Sequence, residues 1–218
     1  MRYHHSLAFA LAASLLWSGV GYAQPSGAQP ITEWRAYGGV GVPNEWTIGD
    51  EVLNHTPGGG DLISVESFAN VEITFDWKIS PGGNSGVFYR VDEQYGASFQ
   101  SGPEYQILDN AGHADGRSGI SSAASVYGLY APSSDATRPV GEWNSARIVL
   151  LGNHVEHWLN GEKVLSFELG SVDWKTRVAG SKFADWPAFG TLPTGHIVLQ
   201  DHGNAVEYRN FMVLKLPD

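Results

Sequence analysis

The 218-residue chain contains no cysteine. That excludes disulfides, thiol catalysis, thiolate metal sites and lipid attachment to an N-terminal cysteine. Basic residues are scarce as well: 13 Lys and Arg stand against 23 Asp and Glu, for a formal charge of −10. Phosphate binding draws on clustered Lys and Arg, so a nucleic-acid partner is excluded. Past the N-terminal leader no apolar run approaches the roughly 20 residues of a membrane helix, and no membrane insertion is expected. Helical period over a dozen residues is also lacking there. The chain has no Gly-x-Ser-x-Gly elbow, no Gly-x-x-x-x-Gly-Lys-Ser/Thr phosphate loop and no His-Glu-x-x-His, which sets aside the nucleophile, nucleotide and zinc chemistries those motifs serve.

What the chain does have is 8 Trp, 9 Tyr and 27 Gly, a composition of strands and tight turns. Trp and Tyr exposed in a groove also grip the apolar faces of sugar rings. Residues 1–23 place Arg2 ahead of an apolar run from Leu7 to Trp17 and end in Gly21-Tyr22-Ala23, which reads as a signal peptide cut near Ala23 and a periplasmic or secreted protein. Residues 24–30 have linker composition. Residues 31–218 then form one domain, a length that suits a single β-sandwich. Ten strands are expected: Trp46 to Leu53, Asp61 to Ser64, Val71 to Ile79, Gly86 to Val91, Glu104 to Leu108, Ser145 to Leu151, His154 to Leu159, Lys163 to Phe167, His196 to Gln200 and Val206 to Leu214. Most are separated by Gly, Pro or Asn turns. Asn160-Gly161 between alternating runs is the clearest hairpin. The fold class is all-β, a two-sheet antiparallel sandwich.

The stretch Gly102-Pro103-Glu104-Tyr105-Gln106-Ile107-Leu108-Asp109-Asn110 puts chemically capable side chains inside an apolar strand. Alternation turns Glu104 and Gln106 to one face, and Tyr105 and Ile107 to the core. Asp109 has the wrong parity and needs a bulge to join them. Polar groups gather at the ends of other strands too: Asn84 and Arg90, Gln200 with Asp201 and His202, and Arg209. Of these, Arg90, His202 and Arg209 are expected to share one concave face with Glu104 and Gln106, and Gln200 shares a face with His202, while Val198 faces the core. The long segments from Ala111 to Arg138 and from Asp173 to Pro193 are expected to wall a cleft, with Phe183 and Trp186 as sugar-stacking residues. Asp109 to Gly116 imitates a calcium loop but lacks an oxygen side chain at its third position and a Glu at its twelfth.

Six motifs in order resemble the 3-keto-disaccharide hydrolase domain family. They are Phe75-Asp76-Trp77-Lys78, Asn84 through Arg90, Gly102 through Asp109, Gly141-Glu142-Trp143-Asn144, Trp158-Leu159-Asn160-Gly161, and Gly195 through Gly203 followed by Tyr208-Arg209-Asn210. The resemblance spans nearly all of the chain after the leader. It implies a concanavalin A-like jelly roll whose site lies on the concave sheet, acting on glycosides oxidised at C3. One family feature differs: Asp50-Glu51 stands where many members turn with Asp-Gly. Glu104-x-Gln106-x-x-Asp109 also resembles, by spacing, the Glu-x-Asp-x-x-Glu strand of laminarinase-like glycosidases. An amide replaces the middle carboxylate and the last is shorter, so ordinary retaining hydrolysis is the weaker reading.

A C3 ketone acidifies the C2 proton, so the glycosidic bond leaves by elimination from an enolate and water then adds. The implied catalytic set is His202 or Glu104 as base, Arg90 and Arg209 as donors to the enolate oxygen, and Asp109 or Glu104 as acid. Asn84, Gln106, Gln200, Asp201, Phe183 and Trp186 are the substrate-binding set. With two arginines supplying positive charge, no metal and no cofactor is called for. A carbohydrate-binding module or lectin using the same face is the reading from another class, since fold alone does not fix function.

Overall fold

A computed structural model describes residues 25–49 and 52–217. The leader with its cleavage position and the Asp50-Glu51 turn lie outside the described residues. In chain order the strands are β1 (Gln29–Pro30), β2 (Trp34–Ala36), β3 (Trp46–Ile48), β4 (Val52–His55), β5 (Leu62–Phe68), β6 (Val71–Ile79), β7 (Asn84–Val91), β8 (Glu104–Leu108), β9 (Asn144–Leu151), β10 (His154–Leu159), β11 (Glu162–Glu168), β12 (Gly195–Leu199) and β13 (Val206–Lys215). They form two antiparallel sheets. One runs β11-β10-β9-β6-β13-β4-β3, with β1 also on β13; the other is the five-stranded β2-β5-β12-β7-β8. Between them lies the core, where Phe75 of the first sheet meets Tyr105 of the second edge to face at 5.8 Å, among fully buried Trp77, Ile107, Ile148 and Tyr208.

The ten expected strands lie where period and turn signals put them, the first of them split into β3 and β4. Both Asn160 (φ 48°) and Gly161 (φ 92°) have the positive φ of a type I′ turn between β10 and β11, the geometry whose twist matches the flanking strands. Two short strands, β1 and β2, are additions. Gln29 and Pro30, within the segment read as linker, pair with Val213 and Met212.

Every residue of β7 and β8 is buried. A strand with one wet face would alternate, so both faces of this part of the sheet are covered. The inner face carries Val87, Tyr89, Tyr105 and Ile107 into the main core. The outer face carries Phe88, which with Ile63, Val91 and Val198 forms a second, smaller cluster. Val198 therefore does not face the opposite sheet, contrary to the expectation from parity. Its neighbours Ile197 and Leu199 do.

Segment 111–138 pairs along the free edge of β8, with Gln106 N donating to Ser125 O at 3.2 Å, and with segment 173–193 it supplies Tyr127, Lys182 and Phe183 above Glu104 and Gln106 on the outer face. The second segment includes most of helix α1 (Val172–Ala179), a further element that the sequence pattern does not announce. Ser171 caps it by accepting from Trp174 N at 3.1 Å, which satisfies one of the free N–H groups of the first turn. Trp174 then enters a column of nearly parallel rings. Tyr130 lies on Phe167 (5.0 Å), Phe167 on Trp174 (5.4 Å), Trp174 on Phe189 (5.7 Å) and Phe189 on Phe183 (4.1 Å). The column ties both covering segments to β11.

Removing its central ring is expected to be costly. Trp174→Ala should lower unfolding stability by about 3–5 kcal/mol, the usual cost of truncating a buried aromatic, read as a shift in the urea midpoint. A loss below about 1 kcal/mol, the level of a surface change, would mean that the column does not anchor the covering segments.

Candidate active site

The β7–β8 ladder opposes Gly86 to Gln106 and Phe88 to Glu104, so alternation sends Glu104 and Gln106 to the outer face. Gln200, just past β12, is fixed by its N–H donating to Gly86 O at 2.9 Å. Together with Asn84, Phe99, Tyr127, Lys182, Phe183 and His202, these residues line a cavity of about 210 Å³. The strand ends supply its floor, and the two covering segments supply Tyr127, Lys182 and Phe183. A Cβ on Gly86 would run into the Glu104 carboxyl. Glycine there leaves the acid room to lie flat over the neighbouring strand.

Glu104 is only 8 % exposed, and its carboxyl has no hydrogen-bond donor among the described residues. Burial pushes its pKa up to about 8; Lys182 opposes the shift, and the negative charges of Asp61 and Asp115 add to it. Burial therefore favours the protonated carboxyl, because an ion so placed has little access to solvent and no donor among the described residues. Lys182 holds its ammonium over the rings of Tyr127 (4.3 Å) and Phe183 (5.3 Å). It is the basic group that the cavity offers besides His202.

Three amide oxygens that border this space are buried with no partner among the described residues: Asn84 Oδ1, Gln106 Oε1 and Gln200 Oε1. Gln106 is held by its other end, Nε2 donating to Ser121 O at 3.2 Å. A buried acceptor left unpaired is costly and is rare in folded proteins. Three around one cavity suit a ligand that brings several O–H donors.

Five residues expected in this set lie elsewhere. Asp109 is at the end of β8 with no bulge to turn it. Its carboxylate accepts from Gly82 N (2.8 Å), Ala111 N (3.2 Å) and Gly112 N (3.1 Å), so it organises a turn. Asp201 has opposite parity to Gln200 and His202. It accepts from Gly58 N and Gly60 N, both at 3.1 Å, and approaches His55 Nε2 at 3.3 Å. Arg209 is in β13 of the other sheet, paired to Asp76 at 3.0 Å and stacked 4.2 Å from the Trp143 ring. Arg90 is turned inward by a bulge. Phe88 opposes Val198 and Val91 opposes His196, so Tyr89 and Arg90 together oppose Ile197, and Arg90 takes φ 55°. Such a bulge reverses the parity of the residues beyond it. Trp186 packs on Phe99 at 5.1 Å and lines a separate, larger cavity.

Glu104, His202, Asn84, Gln106, Gln200 and Phe183 are thus brought together, and the positive charge assigned to two arginines is supplied by Lys182. Lys182, Tyr127 and Phe99 escape a sequence reading. All three lie outside the strands, where no period points a side chain, and only the neighbouring Phe183 hints at Lys182.

Comparison with known proteins identifies the family and the fold. Residues 27–214 match the family of 3-keto-alpha-glucoside-1,2-lyase-like domains. A protein named 3-keto-disaccharide hydrolase from Bacteroides thetaiotaomicron is 36 % identical over 225 residues, covering 88 % of this chain and 78 % of that protein. The crystal structure of a candidate glycosyl hydrolase from Parabacteroides distasonis superposes with TM-score 0.78 at 34 % identity, over 84 % of this chain and 88 % of that one. An endo-beta-1,3(4)-glucanase of family GH16 shares the fold alone, with TM-score 0.51 at 11 % identity over 90 % of this chain and 94 % of that one.

Two outcomes are expected from the carboxyl's setting. Gly86→Ala displaces Glu104, so turnover should fall by about a hundredfold, the cost of misplacing a reacting group by an ångström, while the chain still folds. Unchanged turnover would show that the carboxyl's position is immaterial. Because the folded pKa of about 8 lies above the model-compound 4.5, the native state holds a proton that the unfolded chain releases in between. The stability linked to it is full below 4.5 and is lost as pH rises to about 8. Glu104→Gln should therefore match the parent's urea midpoint at pH 5 and exceed it at pH 9. Equal midpoints at both would contradict a raised pKa.

Proposed function

The chain belongs to the family of 3-keto-alpha-glucoside-1,2-lyase-like domains and is a hydrolase acting on glycosides, and from that premise we propose that it cleaves 3-keto-disaccharides by elimination and hydration. The observation that carries the reading is a buried carboxyl, its pKa raised by desolvation, lining one cavity with a histidine and a lysine and with no second carboxylate. Retaining hydrolysis needs two carboxyls about 5 Å apart. An elimination needs a base, an acid and a positive charge at the carbonyl oxygen, and the cavity offers one of each.

In this route His202, exposed at the cavity, takes the C2 proton. The electron pair moves onto the C3 oxygen as an enolate, which the Lys182 ammonium stabilises. The enolate then reforms the ketone with a C1–C2 double bond, the C1–O bond breaks, and the leaving oxygen takes the Glu104 proton. Water adds next: its oxygen bonds to C1, its proton returns to Glu104, and His202, exposed and so exchanging its proton with solvent, delivers a proton to C2. Atoms balance as net hydrolysis. Asn84, Gln106 and Gln200 accept from the hydroxyls of the ketosugar, and the Phe183 ring borders its apolar face. The basic and apolar leader supports action in the periplasm or outside the cell.

Incubation in deuterium oxide tests the route. A 3-keto-disaccharide should be cleaved with deuterium at C2 of the released ketosugar, and its unoxidised parent should not be cleaved. Cleavage of the parent, or release without label at C2, would rule the elimination out. The rate should fall above about pH 8 as Glu104 loses its proton, and this limb should vanish in Glu104→Gln, which retains no more than about 1 % of the rate by loss of its acid. Lys182→Met should lower kcat by about 100-fold, the loss seen when one oxyanion donor is removed, with KM little changed.

A further inference from the structure

Beside the active site, and sharing the Phe183 wall with it, lies a larger cavity of about 480 Å³. Most of its lining is apolar, from Leu169, Trp174, Val178, Trp186 and Phe189. Volumes of this size hold a ring-bearing small molecule. Its charge is at odds with the rest of the protein. In a chain with ten more acids than bases, the cavity is lined by two basic residues, Arg90 and Lys175, and by no Asp or Glu.

Arg90 is the less ordinary of the two. It is 4 % exposed, and it reaches this place only through the bulge that gives it φ 55°. Its Nη2 donates to Gly152 O at 2.5 Å and to Ala69 O at 3.5 Å. Its Nε is buried with no partner. Neither Arg90 nor Lys175 forms an ion pair among the described residues. A buried guanidinium with no carboxylate is expensive, and burial pushes its pKa down for that reason. An arginine's fork of donors is matched by a carboxylate.

We infer that this second cavity binds a small ring-bearing carboxylate, with its acid group on Arg90 and its ring among Trp174, Trp186 and Phe189. Lys175, exposed on α1 at the cavity wall, adds attraction at the entrance. The ring is that of a sugar acid or of an aromatic acid, which share a carboxylate and an apolar ring face. Binding here does not depend on the elimination route.

Calorimetric titration of the whole chain with glucuronate and benzoate, and with their neutral counterparts glucose and benzyl alcohol, tests it. At least one acid should bind with Kd below about 1 mM, and its neutral counterpart about tenfold or more weakly. Binding of glucuronate alone identifies a sugar acid, and binding of benzoate alone an aromatic one. Arg90→Gln should lose about tenfold or more in affinity. Because Arg90 also holds two carbonyls, Ala179→Trp serves as the second variant: it fills the cavity from α1, keeps Arg90, and should abolish binding with the urea midpoint intact. Glu104→Gln should leave the affinity as it was. Acid and neutral probes binding alike, neither binding at about 10 mM, full binding in Ala179→Trp, or an affinity that follows Glu104 would each overturn the inference.

Discussion

A carboxyl shut away from water without a hydrogen-bond donor has to keep its proton, and most of what distinguishes this sandwich serves that condition at Glu104. An edge strand with its outer face wet would leave the acid ionised near its ordinary pKa. Here every residue of β7 and β8 is buried, Tyr127, Lys182 and Phe183 of the two long segments border the acid, and Gly86 gives up its side chain so that the carboxyl can lie in the space left over. Lys182 is the counterweight. It comes close enough to lower the Glu104 pKa, yet burial remains the larger effect. The outcome is a buried acid and a basic side chain lining one small cavity.

Holding that cover in place is the task of the aromatic column from Tyr130 to Phe183. Stacked rings contribute beyond their buried area, and these are drawn from a loop, a strand, a helix and a second loop. The same column separates two cavities of different character. One is polar and lined by amide oxygens without a partner among the described residues, the other mostly apolar, with a guanidinium that has no carboxylate partner among them. Phe183 is common to both.

The strands were legible because period two, Gly and Asn turns and aromatic content all agree along this chain. β6, β8 and β10 have the ends that their patterns predict. Alternation also placed Glu104 with Gln106, and Gln200 with His202. It failed where the backbone breaks period. At Arg90 a residue with positive φ reverses the face, and nothing in Tyr89-Arg90-Val91 announces it. Arg209 failed for another reason: its parity along β13 says nothing about which sheet β13 joins, and that is settled by distant pairing with β4 and β6. Asp109 and Asp201 show how a carboxylate beside glycines is spent on backbone N–H groups, a turn-forming use that competes with chemistry wherever Asp precedes a loop. α1 is eight residues long, too short to register as a period, and Lys182 comes after it in a segment without regular pattern.

The elimination chemistry stands or falls on the protonation state of one residue. With the glutamate carboxyls labelled with carbon-13, the resonance that disappears in Glu104→Gln identifies Glu104, and its shift can be followed across pH. A single titration near pH 8 is predicted. A titration near the ordinary carboxylate value, about 4.3, would mean that the cavity holds an anion at neutral pH, and Glu104 would then be no acid for the leaving group.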